Sequence, residues 1–225
     1  VTTEEKRLKS EYAVPMVYDF DTSVFERVSL GLIHSFRTMR NYYRETEWPK
    51  SPAAYRVRVK EFFQYKKEFE QELGVTVSDF MFEWLIDNKF SARIEAVLIR
   101  NLENWYENKI AEAPDRFIPT AQTNVVARVV HRSNLGKEFS INRSDILDIQ
   151  DPEHFQLDDK KDLDRFSEGD RANILYFARS LMVPNLTLNK QETTTRRQAA
   201  RESVIPVTIT IKKGQIIVAQ GSVIQ

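Results

Sequence analysis

The sequence predicts an α+β protein in which a helical insertion sits on a small mixed β base. Apolar residues recur at helical spacing through the first half of the chain, which indicates amphipathic helices. Runs of β-branched residues gather in the second half, which indicates strands. The two ends of the chain also resemble each other, so the base is expected to form from N- and C-terminal helix–strand repeats plus a hairpin. Because helices come first and strands come late, α+β is favoured over alternating βαβ units.

Two long helices are predicted at the start of the insertion. The first has one apolar stripe over residues 22–43, and Pro49 and Pro52 follow its end. The second has its stripe over residues 59–73 and is expected to end at Gly74. These two helices supply much of the predicted core.

Two serines mark the next helical starts. Ser78 is expected to cap a short helical segment, and a long helix is expected after Ser91. The stripe of the long helix is Ile94, Val97, Leu98, Asn101, Leu102, Trp105 and Ile110. Aromatic residues at helical spacing usually pack a bundle, so those of this lobe are interpreted as core and not as a cofactor pocket.

Strands are predicted once the chain passes Pro114 and Pro119. The valine run at residues 125–130 is expected to pair with residues 138–142 across a turn at residues 133–136. This arrangement is a β-hairpin.

The remaining elements follow an acidic, irregular stretch at residues 145–164. A capping box at residues 167–170 begins a helix that stops before Pro184. The later predictions are a strand at residues 186–188, a helix at 192–203, a strand at 205–211, a turn at Lys213-Gly214, a returning strand at 216–218 and a bend at Gly221.

We expect one domain with four parts. Residues 1–21 form the first repeat unit, and residues 22–113 form the helical lobe. Residues 114–184 contain the hairpin, the acidic loop and a helix. Residues 185–225 form the second repeat unit and a late β-hairpin.

Composition excludes several function classes. Lys and Arg together number 33 and so do Asp and Glu, so no overall basic field attracts nucleic acid. The absence of cysteine excludes disulfides and thiolate metal sites and leaves the compartment open. No P-loop, dinucleotide fingerprint or Gly-x-Ser-x-Gly elbow occurs, so neither catalysis nor a cofactor is expected in this chain.

The two ends match at a constant offset in the sequence. Each copy reads as a helix that runs into a strand through a proline-bearing turn, so the copies are expected to pair and to bring the ends together. The matched pairs are Thr3 with Thr193, Lys6 with Arg196, Arg7 with Arg197, Val14 with Val204 and Val17 with Val207. Further structural positions of the second copy are Pro206, Gly214 and Gly221.

These ends resemble the two flanks of the extracellular domain found in seven-transmembrane receptors with an intracellular HD hydrolase. The segments concerned are TTEEKRLKSEYAVPMVYDFD and LTLNKQETTTRRQAARESVIPVTITIKKGQIIVAQGSVI. The second flank matches best, with a Thr-x-x-x-Arg helix, a Val-x-Pro-Val strand and a Lys-Gly-x-x-Ile-Val-x-x-Gly hairpin. The middle of the chain resembles the family only in its order of elements, because helices precede strands there.

The resemblance implies a domain on the extracytoplasmic face of the bacterial cytoplasmic membrane, with membrane helices on both sides in the parent protein. The parent would be a metal-dependent cyclic di-AMP phosphodiesterase with a separate cytoplasmic HD domain. This chain would be its non-catalytic sensor or signal-transmitting domain. The partners implied are an unknown small ligand or a periplasmic or cell-wall component, with a homodimer as a further option. Two alternatives stay open: a periplasmic protein- or cell-wall-binding module, and a structural dimerisation spacer.

No pattern of residues in the sequence predicts a metal site. HD phosphohydrolases hold metal ions with histidines and an adjacent His-Asp pair. The chain has three histidines, none of them followed by Asp, at His34, His131 and His154. An EF-hand loop from Asp164 would place Phe166 and Leu175 where oxygen ligands are required, so the acidic stretch is interpreted as a solvated loop.

One cationic cluster is the candidate anion or partner patch. Its residues are Lys6, Arg7, Arg196, Arg197 and Arg201. Guanidinium groups bind phosphate and carboxylate, provided that the two copies converge. The alternative is a solvated helix face on which the arginines pair with Glu192 and Glu202.

Overall fold

The structure, a computed structural model, has the predicted α+β class. It describes residues 2–131, 135–158 and 163–208. The chain divides into two compact units, of which the first combines Val1–Pro15 with Lys190–Gln225 and the second is Met16–Asn189. The second unit is therefore inserted in sequence between the two segments of the first. The division into four parts made from the sequence stays a prediction.

The described elements follow one another in this order. The helices are α1 (Thr3–Ala13), α2 (Val24–Glu45), α3 (Pro52–Phe62), α4 (Lys66–Leu73), α5 (Asp79–Asp87), α6 (Ala92–Tyr106), α7 (Pro114–Phe117), α8 (Glu168–Ser180) and α9 (Lys190–Glu202). The strands are β1 (Val17–Phe20), β2 (Lys109–Ala111), β3 (Asn124–Val129), β4 (Glu138–Asn142), β5 (Ile146–Asp148) and β6 (Leu186–Leu188). Short 3₁₀ turns occupy Phe63–Tyr65, Arg143–Asp145 and Pro152–His154. Across these described ranges, no helix is both long and apolar enough to cross a membrane.

The first unit contains α1 and α9, which pack against each other. A reciprocal capping box begins α1: the Thr2 hydroxyl accepts from the Glu5 amide at 3.1 Å, and the Glu5 carboxylate accepts from the Thr2 amide at 2.7 Å. Val14 is extended and ends the helix before Pro15. Helix α1, this proline turn and strand β1 therefore form the helix–strand copy that the sequence predicts.

The second copy departs from the prediction after its helix. The strand predicted at residues 205–211 is wrong over residues 205–208, which belong to no strand. The amide of Val207 donates to the Thr3 hydroxyl at 2.9 Å. The rest of that strand, the returning strand, and the turn and bend at Gly214 and Gly221 lie outside the described residues.

A four-stranded mixed sheet, in the order β4-β3-β1-β6, lies in the second unit. Strand β1 pairs parallel with β3 and antiparallel with β6. The predicted hairpin is present as β3 and β4, in antiparallel register from Asn124 opposite Asn142. Val125, Ala127 and Val129 are buried in alternation along β3, so one face of the sheet covers a small core.

The second helix predicted from the sequence is broken in two. The 3₁₀ turn at Phe63–Tyr65 separates α3 from α4. A 3₁₀ turn has three residues where an α-helix has 3.6, so it changes the direction of the following side chains. Tyr65 thereby stacks on Tyr42 with ring centroids 4.3 Å apart, while Phe62 and Phe69 both stay in the core.

The lobe core is aromatic, as the sequence predicts. Its fully buried rings contact one another at centroid distances between 5.5 and 6.4 Å. They are Phe36, Phe62, Phe69, Phe82 and Phe90. Gly31 of α2 permits the close approach of α4, because a Cβ atom there would lie 2.9 Å from the Glu72 carbonyl oxygen.

The apolar stripe of α6 is shorter than predicted. The helix ends at Tyr106, and Ile110 lies in β2, opposite Leu147 of β5. The side-chain amide of Asn108 donates to the carbonyls of Asn104 and Trp105, which gives the last turn of the helix hydrogen-bond partners. Ile110 is nonetheless fully buried.

Helix α8 begins at the predicted cap residue, Ser167, and among the described contacts only the hydroxyl half of the predicted capping box is formed. The Ser167 hydroxyl accepts from the Asp170 amide at 3.1 Å and donates to the Asp170 carboxylate at 2.7 Å. The indole of Trp84 donates to the same carboxylate at 2.9 Å. These hydrogen bonds, of which the one from Ser167 has the largest effect, hold the pKa of Asp170 below its ordinary value. Burial of the carboxyl group acts in the opposite direction.

Replacement of Asp170 by asparagine is expected to destabilise the chain at neutral pH and to have less effect in acid. Because the folded pKa lies below the unfolded value of about 3.9, the carboxylate stabilises the fold above that value and loses its contribution as pH falls through the folded pKa. Urea unfolding of both proteins between pH 7 and pH 3 measures the difference. A difference that does not shrink below pH 4 would contradict this assignment.

Candidate functional site

All five residues of the predicted cationic patch lie on α1 and α9. Arg201 of α9 forms an ion pair with Glu4 and a second one, at 3.4 Å, with Glu11. Arg7 lies 3.8 Å from the Glu4 carboxylate. Two cations of the patch therefore contact carboxylates of the same unit.

The other patch residues are distributed along the two helices. Arg196 pairs with Glu192 at 2.8 Å within α9, which is the solvated-face pairing that the sequence offers as an alternative. Glu202 accepts a hydrogen bond from Gln198. Lys6 is exposed and Arg197 is half-buried. Anion binding by this patch stays a prediction, and its carboxylates reduce the net positive charge available for it.

The repeat positions place the two helices in contact. The Ser10 hydroxyl donates to the Ala200 carbonyl at 3.0 Å, and this pair is 190 positions apart in sequence. The contact of Glu11 with Arg201 joins residues with the same separation, which is the offset between the two copies. Thr193 is buried on α9. The remaining repeat positions of the second copy, Val204, Pro206 and Val207, follow α9 outside any strand.

The chain passes from one unit to the other at two points, and both points lie at the ends of neighbouring strands of the sheet. Strand β1 begins one residue after Met16, and β6 ends one residue before Asn189. The Asn189 amide donates to the Val17 carbonyl at 2.8 Å, and its side chain donates to Asp19 at 2.9 Å. Arg128 of β3 holds the other oxygen of Asp19, at 2.8 and 3.1 Å. The two chain segments that continue into the first unit therefore start from adjacent positions at one edge of the paired strands β1 and β6.

A cationic cavity of about 360 Å³ lies in the helical lobe and is lined by Arg40, Tyr43, Arg44 and Lys89. The first three lie on one face of α2, at the i, i+3 and i+4 positions. Lys89 comes from the turn between α5 and α6. The four residues line the cavity mainly with apolar atoms, and three of them carry a positive charge.

Hydrogen bonds hold the two arginines in place. Arg40 donates to the Phe90 carbonyl at 3.1 Å and forms an ion pair with Glu95 of α6. Arg44 donates to the Arg40 carbonyl at 3.2 Å and to the side chain of Asn41. Contacts within the lobe therefore hold both guanidinium groups.

The turn that carries Lys89 is strained. Lys89 and Phe90 have φ angles of 57° and 47°, a left-handed conformation that costs a residue with a side chain about 1–3 kcal/mol. Burial of the Phe90 ring in the aromatic core offsets the strain at that position. The Lys89 side chain is exposed, and it has no hydrogen-bond or ion-pair partner in the part of the chain that the structure describes. The Lys89 backbone amide donates to the Ile86 carbonyl at 2.8 Å, and the Phe90 amide donates to the Leu85 carbonyl at 2.9 Å. These two hydrogen bonds form a Schellman cap at the end of α5, and they offset the cost of the left-handed conformation at Lys89.

The ring of Tyr43 forms a rigid wall of the cavity. It stacks on Trp48 with centroids 4.4 Å apart, and the indole of Trp48 donates to the Tyr43 carbonyl at 2.8 Å. Burial, and secondly the charge of Asp87, raise the pKa of Tyr43 above its ordinary value. The phenol therefore stays protonated and can donate a hydrogen bond.

The sequence did not predict this cavity as a site. The spacing of Arg40, Tyr43 and Arg44 could have indicated a cationic face with an aromatic residue. No sequence pattern indicates Lys89, because its approach to α2 depends on the turn at Lys89 and Phe90 and on the packing of α6 against α2.

A second cavity, of about 430 Å³, has charges of both signs in its wall, including Asp115, Arg143, Asp148 and His154. Arg143 donates twice to Asp115, at 2.6 and 2.9 Å, so its charge is compensated. Within the described ranges no group of three His, Cys, Asp or Glu residues could hold a metal ion. The acidic stretch is described only in part, since residues 159–162 lie outside those ranges.

Comparison with known proteins identifies the family. A family model described as "7TM-HD extracellular" matches residues 1–225, which include the whole second unit and both flanking repeat segments. Searches of curated proteins and of solved structures gave no match. The chain therefore belongs to the family of extracellular domains of 7TM-HD membrane proteins, and it is an extracytoplasmic domain.

Proposed function

We propose that this domain senses an extracytoplasmic signal and transmits it to a cytoplasmic HD-type hydrolase in the same parent protein. The family is the extracellular part of 7TM-HD proteins, so the domain lies on the side of the membrane where external signals arrive. The hydrolase is proposed to be a metal-dependent cyclic di-AMP phosphodiesterase, as the resemblance of the two flanks implies. In this proposal the chain itself carries out no catalysis.

The proposal rests on the contact between α1 and α9. These helices belong to the first and last parts of the chain, yet they form one unit held by the contacts of Ser10 with Ala200 and of Arg201 with Glu4 and Glu11. The inserted unit joins them through the paired strands β1 and β6. A change in the pairing of β1 with β6 would therefore act on both helices at once.

A structural dimerisation spacer could use the same helices without transmitting a signal. The two functions differ in one respect, because a transmitter needs α1 and α9 to change their relative position. A covalent link between the helices separates the two functions.

A disulfide between Ser10→Cys and Ala200→Cys is expected to change the hydrolase activity of the full-length parent in membranes by severalfold, and a reductant should restore the original activity. The natural chain has no cysteine, so the two introduced thiols have no competitor within this domain. The Ser10 hydroxyl oxygen and the Ala200 carbonyl oxygen are 3.0 Å apart in the natural protein, so the two substituted residues lie next to each other on the packed helices. Hydrolysis of cyclic di-AMP, before and after oxidation, measures the effect.

The matched control is a disulfide between Val126→Cys and Ser140→Cys, which are register partners in the hairpin of β3 with β4. It adds a covalent link without joining α1 to α9. If the helix crosslink is complete by mass spectrometry and activity is unchanged, transmission through these helices is refuted and the spacer function is favoured.

A further inference from the structure

We infer that the cationic cavity lined by Arg40, Tyr43, Arg44 and Lys89 binds a small organic oxyanion, that is, a molecule with a carboxylate or phosphate group and an adjoining apolar part. The cavity volume of about 360 Å³ lies at the lower end of the range for small-molecule sites, which is about 300–1,000 Å³. A ligand of few heavy atoms fits this space.

Charge favours an anion. Arg40, Arg44 and Lys89 bring three positive charges to the cavity wall, and Glu95 compensates that of Arg40. Arg44 and Lys89 form no ion pair among the described contacts, since Arg44 donates to neutral oxygens. The carboxylate of Asp87, whose charge acts on Tyr43, is a nearby negative group. Guanidinium and ammonium groups form charge-assisted hydrogen bonds with carboxylate and phosphate oxygens.

Tyr43 favours an organic ligand over a bare inorganic ion. Its ring is fixed by stacking on Trp48 and by the edge contact with Phe62 at 6.3 Å. A fixed ring needs little ordering when a ligand packs on it, so less conformational entropy is lost on binding. The phenol adds a neutral hydrogen-bond donor beside the two cations.

Lys89 reaches the cavity from the C-terminal cap of α5. Its left-handed conformation and the backbone hydrogen bonds of Lys89 to Ile86 and of Phe90 to Leu85 form a Schellman motif, which commonly ends a helix. The cap fixes the backbone of Lys89 and leaves its side chain exposed at the cavity.

The packing of Arg40 fits the same inference. Its hydrogen bond to the Phe90 carbonyl and its ion pair with Glu95 fix the turn to α2 and α6. Arg40 therefore acts as a positioning residue for Lys89, in addition to lining the cavity. The cations of the first unit differ from this arrangement, because several of them pair with carboxylates.

This inference names the ligand class for the proposed sensing function and rests on that function for its biological purpose. Binding itself is measurable on the 225-residue chain without any hydrolase. A failure of the crosslinking experiment would therefore leave the binding result unaffected, and the reverse also holds.

The test is calorimetric titration of the chain with inorganic phosphate and with benzoate at low salt. Benzoate supplies a carboxylate with an aromatic ring, and phosphate supplies the oxyanion alone. The natural chain is expected to bind at least one of them at a single site, with affinity that falls as sodium chloride is added. Tighter binding of phosphate would indicate a phosphorylated ligand, and tighter binding of benzoate would indicate a carboxylated one.

Lys89→Gly is expected to weaken binding about tenfold, because a charge-assisted hydrogen bond is lost. The same variant is expected to unfold at a temperature equal to or above that of the natural chain, because glycine relieves the strain. Its weaker binding therefore cannot come from misfolding. Arg44→Gln should weaken binding to a similar degree.

The matched control is Lys60→Ala, which removes an exposed charge on α3, away from the cavity-lining residues. It should leave the affinity unchanged. The inference is overturned if the natural chain binds neither probe, or if Lys89→Gly and Lys60→Ala weaken binding equally, since equal losses would show a general charge effect.

Discussion

Phe82→Ala is expected to lower the free energy of unfolding by about 3–5 kcal/mol. Phe82 is fully buried, and its ring contacts those of Phe63, Phe69 and Phe90 at centroid distances of 5.2, 5.5 and 5.8 Å. Alanine would remove these contacts and leave a cavity among rings that the surrounding helices hold in place. Total stabilities are typically about 5–15 kcal/mol, so this one change removes a large share.

Phe80→Ala is the matched control for that substitution. Phe80 lies on the same helix, two residues earlier, and 66% of its surface is exposed. The control should change the free energy of unfolding by less than about 0.5 kcal/mol. Urea unfolding followed by tryptophan fluorescence compares the two variants. Equal losses would mean that the aromatic cluster is not the stabilising core of the lobe.

Asn185→Ala is expected to cost about 2–4 kcal/mol, although the substitution removes few atoms. The side-chain oxygen of Asn185 accepts from the Ile110 amide at 2.7 Å, and its amide donates to the Asn108 carbonyl at 2.8 Å. Ile110 is fully buried, so its amide would lose its partner where water has no access. An unsatisfied buried donor costs more than an average hydrogen bond contributes.

Asn104→Ala provides the comparison for this loss. Asn104 is exposed on α6, where alanine is a favourable helical residue, so the change should be close to neutral. Urea unfolding of the two variants measures the difference. If Asn185→Ala also proved neutral, the junction of β2 with the segment before β6 would not depend on this side chain.

The sequence predicted the elements whose signal is local. The stripe of α2, the serine caps of α5, α6 and α8, and the hairpin of β3 with β4 are all confirmed. Apolar periodicity and capping chemistry depend on residues a few positions apart, so they can be read without knowledge of tertiary contacts. The match of the two ends also led to the family that the comparison shows.

The predictions from the sequence were wrong where a contact between residues far apart in sequence determined the local structure. The 3₁₀ turn between α3 and α4 lets Tyr65 reach Tyr42 while Phe62 stays buried, and nothing in the local pattern requires it. Ile110 continued the helical stripe in sequence, but its pairing with Leu147 places it in a strand. In both cases tertiary packing outweighed local propensity.

The sequence by itself determined the α+β class, the family and the charge balance of this protein, because composition, periodicity and motif spacing are properties of the chain alone. Tertiary structure decided which charges meet. It joined Arg201 to Glu4 and Glu11 across the two ends of the chain, and it brought Lys89 beside Arg40 and Arg44 through a left-handed turn. Contacts between residues far apart in sequence depend on which helix faces pack together, and the apolar period of a helix does not specify its partner.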